Sequence, residues 1–222
     1  MQYAHVNADG LPISLPVGKV VCVGRNYVDH IQELNNDVPD EPLLFIKPAT
    51  SLCDMHQSIH IPLDKGGCHN EVEVSVLIKD RLSTASVEKT QDAVWGVGIG
   101  LDLTLRQLQD NLKQRGLPWE RAKAFDNSCP MSPFVPLSQF DDLTSLAFSL
   151  TVNGEKRQNG NTSCMIWNIA SLLSEISQVF TLMPGDIVMT GTPKGVGPLN
   201  VGDELILTLA EKLAIHCQVE GQ

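Results

Sequence analysis

Glycine and proline divide this chain of 222 residues into short segments, and this division limits the folds open to it. The sequence holds 17 glycines and 13 prolines. Chains punctuated in this way fold into many short strands joined by turns. A doubly wound α/β sheet would need regular alternation of strands and helices, which the sequence lacks. We therefore predict a fold of the α+β class that is mainly β, with a few short helices.

Period-two alternation and turn residues predict the positions of individual elements. Residues 71–78 predict a strand, because they alternate polar and apolar side chains up to Val76 and then turn apolar. Residues 99–105 predict a second strand that leads into a helix over 106–115. Asn153-Gly154 stands between two β-prone runs and is the strongest short signal for a hairpin, since both residues tolerate positive φ. No linker or repeat interrupts the chain, so we predict one domain over residues 1–222.

The charge balance limits the partners of the chain. Lys and Arg number 16 and Asp and Glu number 26, which gives a formal net charge of −10. An acidic chain without a basic stripe is not expected to bind nucleic acid. No apolar run approaches the roughly 18 residues of a membrane span, and the start does not read as a secretory signal. Six cysteines without Cys-x-x-Cys spacing favour free thiols. We expect a cytoplasmic protein without a membrane partner.

Three carboxylates have the spacing that a metal site needs. Glu71 and Glu73 are two residues apart on the predicted strand, so their side chains leave the same face with Cα atoms about 6.5 Å apart. Asp102 has apolar neighbours, among which an unpaired charge is costly to bury. Oxygen ligands alone suit a hard cation, Mg²⁺ or Mn²⁺. Two alternatives remain: a half-exposed strand with an acidic outer face, and an Asp102 that pairs with Arg106 or caps the next helix.

His30 and Glu33 are three residues apart in a segment that predicts one or two helical turns. On a helix they share one face, and a carboxylate beside a histidine fixes its tautomer and raises its basicity. Such a pair could activate water as a general base, although an exposed helix start has the same pattern. Lys123 could neutralise an anionic substrate or donate a proton, unless it is an ordinary solvated lysine.

The loop over residues 190–198 follows an apolar strand and contains three glycines and two prolines. Its backbone N–H groups could form a nest that binds an anion. The loop lacks the Gly-Lys-Ser/Thr of a P-loop, and a plain tight turn is the alternative interpretation.

Several motifs follow one another along residues 17–210. They are Gly24-Arg-Asn-Tyr27 with His30 and Glu33, His69-Asn-Glu71-Val-Glu73, Asp102-Leu-Thr104-Leu-Arg106 with Gln109, Lys123-Ala-Phe-Asp126, Asn153-Gly154 with Arg157-Gln158, Pro184-Gly-Asp186, Thr190-Gly-Thr-Pro193 and Gly195-Val-Gly-Pro198. In this order they make the chain resemble the fumarylacetoacetate hydrolase superfamily. Within it, the chain is most similar to the short acylpyruvases, which include oxaloacetate decarboxylases.

The resemblance implies a role for each matching residue. It makes Glu71, Glu73 and Asp102 the ligands of Mg²⁺ or Mn²⁺. It makes His30 with Glu33 the catalytic dyad that activates water, and Lys123 a catalytic contact to the substrate and its enolate. It further implies five substrate-binding residues, which are Arg25, Lys47, Arg106, Gln109 and Thr192.

For the chain as a whole, the resemblance implies a mixed β-sandwich roll, a homodimer and a small keto-acid substrate. The implied main activity is metal-dependent hydrolysis of a carbon–carbon bond in 3-acylpyruvates, such as acetylpyruvate or fumarylpyruvate, with decarboxylation of oxaloacetate as a second reaction. The alternative is an isomerase or keto–enol tautomerase of oxaloacetate or a related unsaturated keto diacid, which moves protons and breaks no carbon–carbon bond. A keto-acid binding protein without turnover is the alternative outside enzymes.

Overall fold

The strands are short, as the glycines and prolines predict. The structure, a computed structural model, describes residues 3–34, 37–56 and 58–222. The strands within these ranges are β1 (Val20–Gly24), β2 (Leu43–Lys47), β3 (Leu52–Asp54), β4 (Ile59–Ile61), β5 (Cys68–Asn70), β6 (Val72–Ile78), β7 (Val94–Leu101), β8 (Thr104–Leu105), β9 (Cys129–Met131), β10 (Val135–Pro136), β11 (Ala147–Val152), β12 (Glu155–Asn161), β13 (Ile187–Met189), β14 (Gly197–Pro198), β15 (Glu204–Leu209) and β16 (Leu213–Gly221).

The helices are few, and the described ranges hold none that is long and apolar enough to cross a membrane. The α-helices are α1 (Val28–Glu33), α2 (Val87–Thr90), α3 (Arg106–Gln114), α4 (Glu120–Lys123) and α5 (Ile169–Val179). Single 3₁₀ turns lie at Ala49–Ser51, Gln91–Ala93, Leu137–Gln139 and Thr162–Cys164. The longest helix, α5, begins after Asn168, whose side chain accepts a hydrogen bond from the Ser171 N–H at 2.9 Å.

The strands form three sheets. The largest has the order β2-β1-β13-β6-β7-β9-β3, with β10 also paired to β7. The second has the order β12-β11-β15-β16-β4, and the third has the order β14-β5-β8. Pairing is mixed, because β1 with β13, β3 with β9 and β16 with β4 are parallel while the other pairs are antiparallel. The predicted α+β, mainly β class is therefore confirmed.

The hairpin predicted at Asn153-Gly154 is confirmed. The turn joins β11 to β12, with Val152 opposite Glu155. Asn153 has φ 50° and Gly154 has φ 82°. Two successive residues with positive φ match the right-handed twist of the flanking strands, which is why this dipeptide closes the hairpin.

Strand β6 lies at the centre of the largest sheet, and all seven of its residues are buried. One apolar cluster takes in Val72, Val74 and Val76, and a second cluster includes Leu77. Both faces of the strand are thus covered. The interpretation of residues 71–78 as a half-exposed strand with an acidic outer face is wrong, because no face of β6 reaches solvent.

The strand predicted over residues 99–105 is interrupted in the structure. β7 ends at Leu101 and β8 begins at Thr104. At the break, the N–H of Asp102 donates to the Glu71 carbonyl at 2.8 Å, and the N–H of Leu103 donates to the Ser128 carbonyl at 3.0 Å. The period-two pattern continues through this break, so the sequence alone does not reveal it. The break places Asp102 at the end of the central strand pair.

Candidate active site

Three carboxylates converge where β6 begins and β7 ends. β6 and β7 run antiparallel, with Val72 opposite Leu101, so Glu71 and Asp102 face each other just beyond that pair. Glu71 is 5% exposed, and Glu73 and Asp102 are each 1% exposed. One carboxylate oxygen from each residue lies within 4.8 Å of the other two. The fold therefore brings the three predicted metal ligands together in a buried cluster.

Cations surround two of these carboxylates. The Lys123 ammonium lies 2.8 Å from Glu71 Oε2 and 2.6 Å from Asp102 Oδ2, and it also donates to Thr104 Oγ1 at 2.7 Å. Arg106 forms an ion pair with the other oxygen of Glu71. Burial alone would raise the pKa of Glu71, but Lys123 and Arg106 outweigh burial and hold that pKa well below its usual range. Glu71 is therefore ionised in the cluster.

Glu73 has a different environment. Its Oε2 accepts a hydrogen bond from the Gly191 N–H at 2.7 Å, and no lysine or arginine of the described residues forms an ion pair with it. Burial, followed by the charges of Asp102 and Glu71, raises the pKa of Glu73 well above its usual value. A divalent cation among the three oxygens would offset both effects. The donor set, made of carboxylates only, fits a hard cation that binds oxygen ligands.

His30 and Glu33 lie beside this cluster on α1. Nδ1 of His30 is 3.3 Å from Glu33 Oε2. The other oxygen of Glu33 accepts a hydrogen bond from the Gly195 N–H at 2.9 Å. The histidine is 6% exposed and lines the cleft above the carboxylates. Because Nδ1 faces Glu33, Nε2 is the ring nitrogen available to a bound molecule.

Backbone N–H groups of the loop over residues 190–198 donate hydrogen bonds to carboxylate side chains of the protein itself. The N–H of Gly191 binds Glu73, and the N–H of Gly195 binds Glu33. Thr192 donates its hydroxyl hydrogen to the Val72 carbonyl at 2.8 Å, which ties the loop to β6. The loop therefore positions a member of the acidic cluster and the carboxylate that orients His30.

Alanine at Gly195 is expected to destabilise the fold. Gly195 has φ +100°, and a Cβ atom there would lie 1.9 Å from the Arg157 carbonyl oxygen. Gly202 is a matched control, because its φ is +92° but no atom lies within 4 Å of its Cβ position. We expect Gly202→Ala to cost about 1 kcal/mol for the left-handed backbone, and Gly195→Ala to cost at least about 2 kcal/mol more for the overlap. Urea unfolding measures both, and equal losses would contradict the tight packing of the loop.

The cleft above the cluster encloses about 470 Å³ including its open mouth. Its floor is formed by the three carboxylates, Lys123 and Thr192. Phe45 and Trp119 form an apolar wall with ring centroids 6.0 Å apart. Lys123 Nζ lies 5.3 Å from the centre of the Phe45 ring. This is a cleft with a charged floor and one aromatic side.

Most predicted site residues line this cleft. They are Arg25, His30, Glu71, Glu73, Asp102, Arg106, Gln109, Lys123 and Thr192. Glu33 stands behind His30, where it contacts that ring and the loop. Lys113, Phe45 and Trp119 also line the cleft, and sequence reasoning missed them. Lys113 had a signal, since it follows Arg106 and Gln109 at helical spacing; the two aromatic residues had none.

Lys47 does not lie where a substrate contact was predicted. Its side chain is fully buried, and its ammonium lies 2.8 Å from Asp102 Oδ1. It also donates to the backbone carbonyls of Lys123 and Ser128. These partners hold Lys47 behind the cleft wall, because a buried ammonium needs several acceptors. Lys47 therefore supports Asp102 and does not face the cleft.

Comparison of the sequence with known protein families shows which family this chain belongs to. The model of the fumarylacetoacetate (FAA) hydrolase C-terminal family matches residues 19–220. The chain belongs to this family. The chain is similar to a solved structure, that of fumarylpyruvate hydrolase from Pseudomonas aeruginosa in complex with Mn²⁺ and pyruvate. The two superpose with a TM-score of 0.93 and are 34% identical, and the match covers 100% of this chain and 97% of the other. The predicted superfamily and its type of β roll are both confirmed.

Other family members share more of the sequence. An oxaloacetate tautomerase of Escherichia coli is 53% identical over 207 residues, which are 93% of this chain and 94% of that protein. A mitochondrial oxaloacetate tautomerase of Bos taurus is 42% identical over 201 residues, or 90% of this chain and 91% of that protein. The predicted main activity, acylpyruvate hydrolysis with oxaloacetate decarboxylation, is therefore wrong. These relatives support the isomerase or tautomerase alternative instead.

Proposed function

We propose that this protein is a divalent-cation-dependent enzyme that interconverts the keto and enol forms of oxaloacetate. The observation that carries the proposal is the 53% identity with an oxaloacetate tautomerase over almost the whole of both chains. Enolisation needs a base and positive charge near the C2 oxygen, which His30 and a cation held by the three carboxylates would supply. Oxaloacetate loses a proton at C3 and gains one at the C2 oxygen, so no other reactant is required.

Glu71, Glu73 and Asp102 would hold the cation, which we propose to be Mg²⁺ or Mn²⁺. Bound there, it would supply Lewis-acid stabilisation of negative charge on the C2 oxygen. The support for this assignment is the crowding of three buried carboxylates, with Glu73 short of a cationic partner among the described residues.

His30 is the base in this proposal. Its Nε2 takes the proton from C3, and Glu33 at Nδ1 fixes the tautomer and stabilises the positive charge on the ring. Glu33 acts through the histidine and is a positioning residue. The protonated ring then gives its proton to the C2 oxygen, and in the reverse direction Nε2 takes a proton from that oxygen and returns it to C3.

Lys123 stabilises the enolate by its charge. Its three N–H donors are already bound to Glu71, Asp102 and Thr104, so a direct hydrogen bond to the substrate would require one of them to be released. Arg106, Gln109 and Thr192 line the cleft next to it and position the substrate. Gln109 Oε1 accepts from Arg106 Nη1 at 2.6 Å, which orients that guanidinium.

The activity is measured by dissolving the enol form of oxaloacetate in buffer with Mg²⁺ and following the loss of its ultraviolet absorbance. We expect the protein to accelerate this loss, and the acceleration to vanish in chelator. Pyruvate is assayed in the same samples, because tautomerisation releases none. Enol decay at the uncatalysed rate would reject the proposal and favour a keto-acid binding protein.

Two wider properties stay predictions. A homodimer is implied by the family resemblance, and light scattering of the purified protein would test it. A cytoplasmic location is predicted from the sequence, whereas the Bos taurus relative is mitochondrial.

A further inference from the structure

A buried glutamine links the second sheet to the start of β6. Gln158 belongs to β12, where it is the one fully buried residue of the strand. Its carboxamide contacts both the start of β6 and the loop over residues 190–198. No step of the proposed reaction uses this side chain, although β6 and the loop both carry parts of the site.

An irregularity in the hairpin turns Gln158 inward. Thr151 of β11 lies opposite Lys156, and the next pair along the ladder is Leu150 with Gln158. Arg157 is therefore the extra residue of a β-bulge. Residues opposite each other in an antiparallel pair leave the same face, so Gln158 shares the buried face of Leu150. In a regular ladder it would lie one position further along, and its side chain would leave the opposite face.

All four hydrogen-bonding positions of the Gln158 carboxamide are occupied. Its Oε1 accepts from the Val72 N–H at 2.9 Å and from Asn70 Nδ2 at 2.8 Å. Its Nε2 donates to Thr192 Oγ1 at 2.8 Å and to the Pro193 carbonyl at 2.9 Å. An amide side chain has two acceptor sites and two donor hydrogens, so none is left for a substrate. The group is committed to holding other parts of the protein.

These contacts hold the backbone between two of the proposed cation ligands. Val72 separates Glu71 from Glu73, and its N–H is bound by Gln158. Its carbonyl accepts from the hydroxyl of Thr192, which in turn accepts from Gln158. Both backbone polar groups of Val72 are therefore bound by this pair of side chains.

The neighbouring strand does not extend to this part of β6. The ladder between β13 and β6 ends at Met189 opposite Ser75, three residues from Val72. Beyond it, the Thr190 N–H donates to the Val74 carbonyl at 3.1 Å. Buried backbone groups need partners, and at Val72 the two side chains provide them in place of a strand. On this side, the segment that carries the glutamates is fixed by side chains.

We propose that Gln158 is a positioning residue of the cation site, whose carboxamide holds Glu71 and Glu73 in the arrangement that binds the divalent cation. The inference rests on the proposed function, since it takes the three carboxylates as the cation ligands. The loop that Gln158 holds also binds Glu73 through the Gly191 N–H. Ligands that are already ordered bind a cation without the entropic cost of ordering them, so loss of Gln158 weakens the site.

Calorimetric titration with Mn²⁺ tests this role. Gln158→Met keeps the size of the side chain and removes all four hydrogen bonds, and we expect the Kd for Mn²⁺ to rise by about 10- to 100-fold. Gln158→Asn is the second variant, because a shorter amide stays polar but cannot reach both Val72 and the loop. It leaves fewer buried groups without a partner and should fold even if Gln158→Met does not. Its Kd for Mn²⁺ should rise by about tenfold.

Ser149→Ala is the matched control. Ser149 lies on β11 in the same sheet, and its hydroxyl is 2.8 Å from Thr208 Oγ1 on β15. This hydrogen bond involves neither β6 nor the loop, so its loss should lower the urea midpoint and leave the Kd for Mn²⁺ unchanged. Folded Gln158 variants that behave in the same way, less stable but with unchanged Kd, would show a purely structural role and overturn the proposal.

Mn²⁺ binding and enol decay separate this inference from the proposed function. If the unsubstituted protein binds Mn²⁺ but does not accelerate enol decay, the tautomerase proposal fails, while a raised Kd in the Gln158 variants still supports the positioning role. If it binds no Mn²⁺, both fail. Catalysis with equal Kd values in the unsubstituted protein and the Gln158 variants would overturn this inference alone.

Discussion

Glutamine in place of His30 is expected to lower the rate of oxaloacetate tautomerisation by about two orders of magnitude or more, the scale of losing a general base. His30 is the histidine of the cleft, and its Nδ1 is already oriented by Glu33. Glutamine fills similar space but takes up no proton at neutral pH. The enol absorbance assay with Mg²⁺ measures the change.

Glu33→Gln is a second variant, for which we expect a smaller effect. It keeps His30 in place but removes the anion beside the ring, so we expect a loss of about 10- to 100-fold, as for a residue that orients another. Urea unfolding of both variants shows whether the fold is retained. A folded His30→Gln protein with more than a tenth of the original rate would assign proton transfer to another group.

Glutamine in place of Glu73 is expected to abolish cation-dependent activity and to leave the fold intact. Glu73 is buried beside two other carboxylates, and its pKa is raised for that reason. Without added metal, Glu73→Gln should therefore be at least as stable as the unsubstituted protein, because the amide carries no charge. Metal at about 100 times its Kd should stabilise the unsubstituted protein by about 2.7 kcal/mol and the variant by far less.

The other ligands are less suitable for this experiment. Asp102 pairs with Lys47 and Lys123, so Asp102→Asn would leave two buried ammonium groups short of a partner and would destabilise the fold. Glu155→Gln, at an exposed position, is the control for loss of a carboxylate. Urea unfolding with and without Mn²⁺ provides the comparison. Equal stabilisation by Mn²⁺ in Glu73→Gln would contradict the assignment of the cation site.

The acidic cluster could be predicted because its parts follow simple rules. Two-residue spacing on a strand puts Glu71 and Glu73 on one face, and the apolar neighbours of Asp102 require a partner for its charge. What the sequence does not carry is the pairing of β6 with β7, which places Asp102 opposite Glu71. That contact depends on long-range strand register, and only the family resemblance indicated it.

The burial of Lys47 could not be predicted for a similar reason. A lysine at the end of a short apolar strand has the same local pattern whether it faces a cleft or lies beneath it. The neighbours of Lys47 include the Lys123 and Ser128 carbonyls, more than 70 residues away along the chain. No local pattern contains those acceptors, so the burial of Lys47 becomes visible only in the folded protein.

The reaction was harder to predict than the site. Hydrolysis of an acylpyruvate and tautomerisation of oxaloacetate both require a cation, a base and stabilisation of an enolate. The same residues therefore satisfy either scheme, and the presence of His30 with Glu33 does not distinguish a base that activates water from one that takes a proton from carbon. Sequence identity with an oxaloacetate tautomerase favours the second reaction, because it extends over nearly the whole chain.

Exchange of the C3 protons of oxaloacetate in D₂O, followed by proton magnetic resonance, tests the central claim most directly, because one spectrum reports proton transfer and carbon–carbon cleavage together. We predict rapid exchange with Mg²⁺ or Mn²⁺, loss of this acceleration in chelator and in His30→Gln, and no pyruvate signal above that of the uncatalysed sample. Exchange at the uncatalysed rate, or pyruvate formed as fast as deuterium enters, would contradict the assignment of this protein as an oxaloacetate tautomerase.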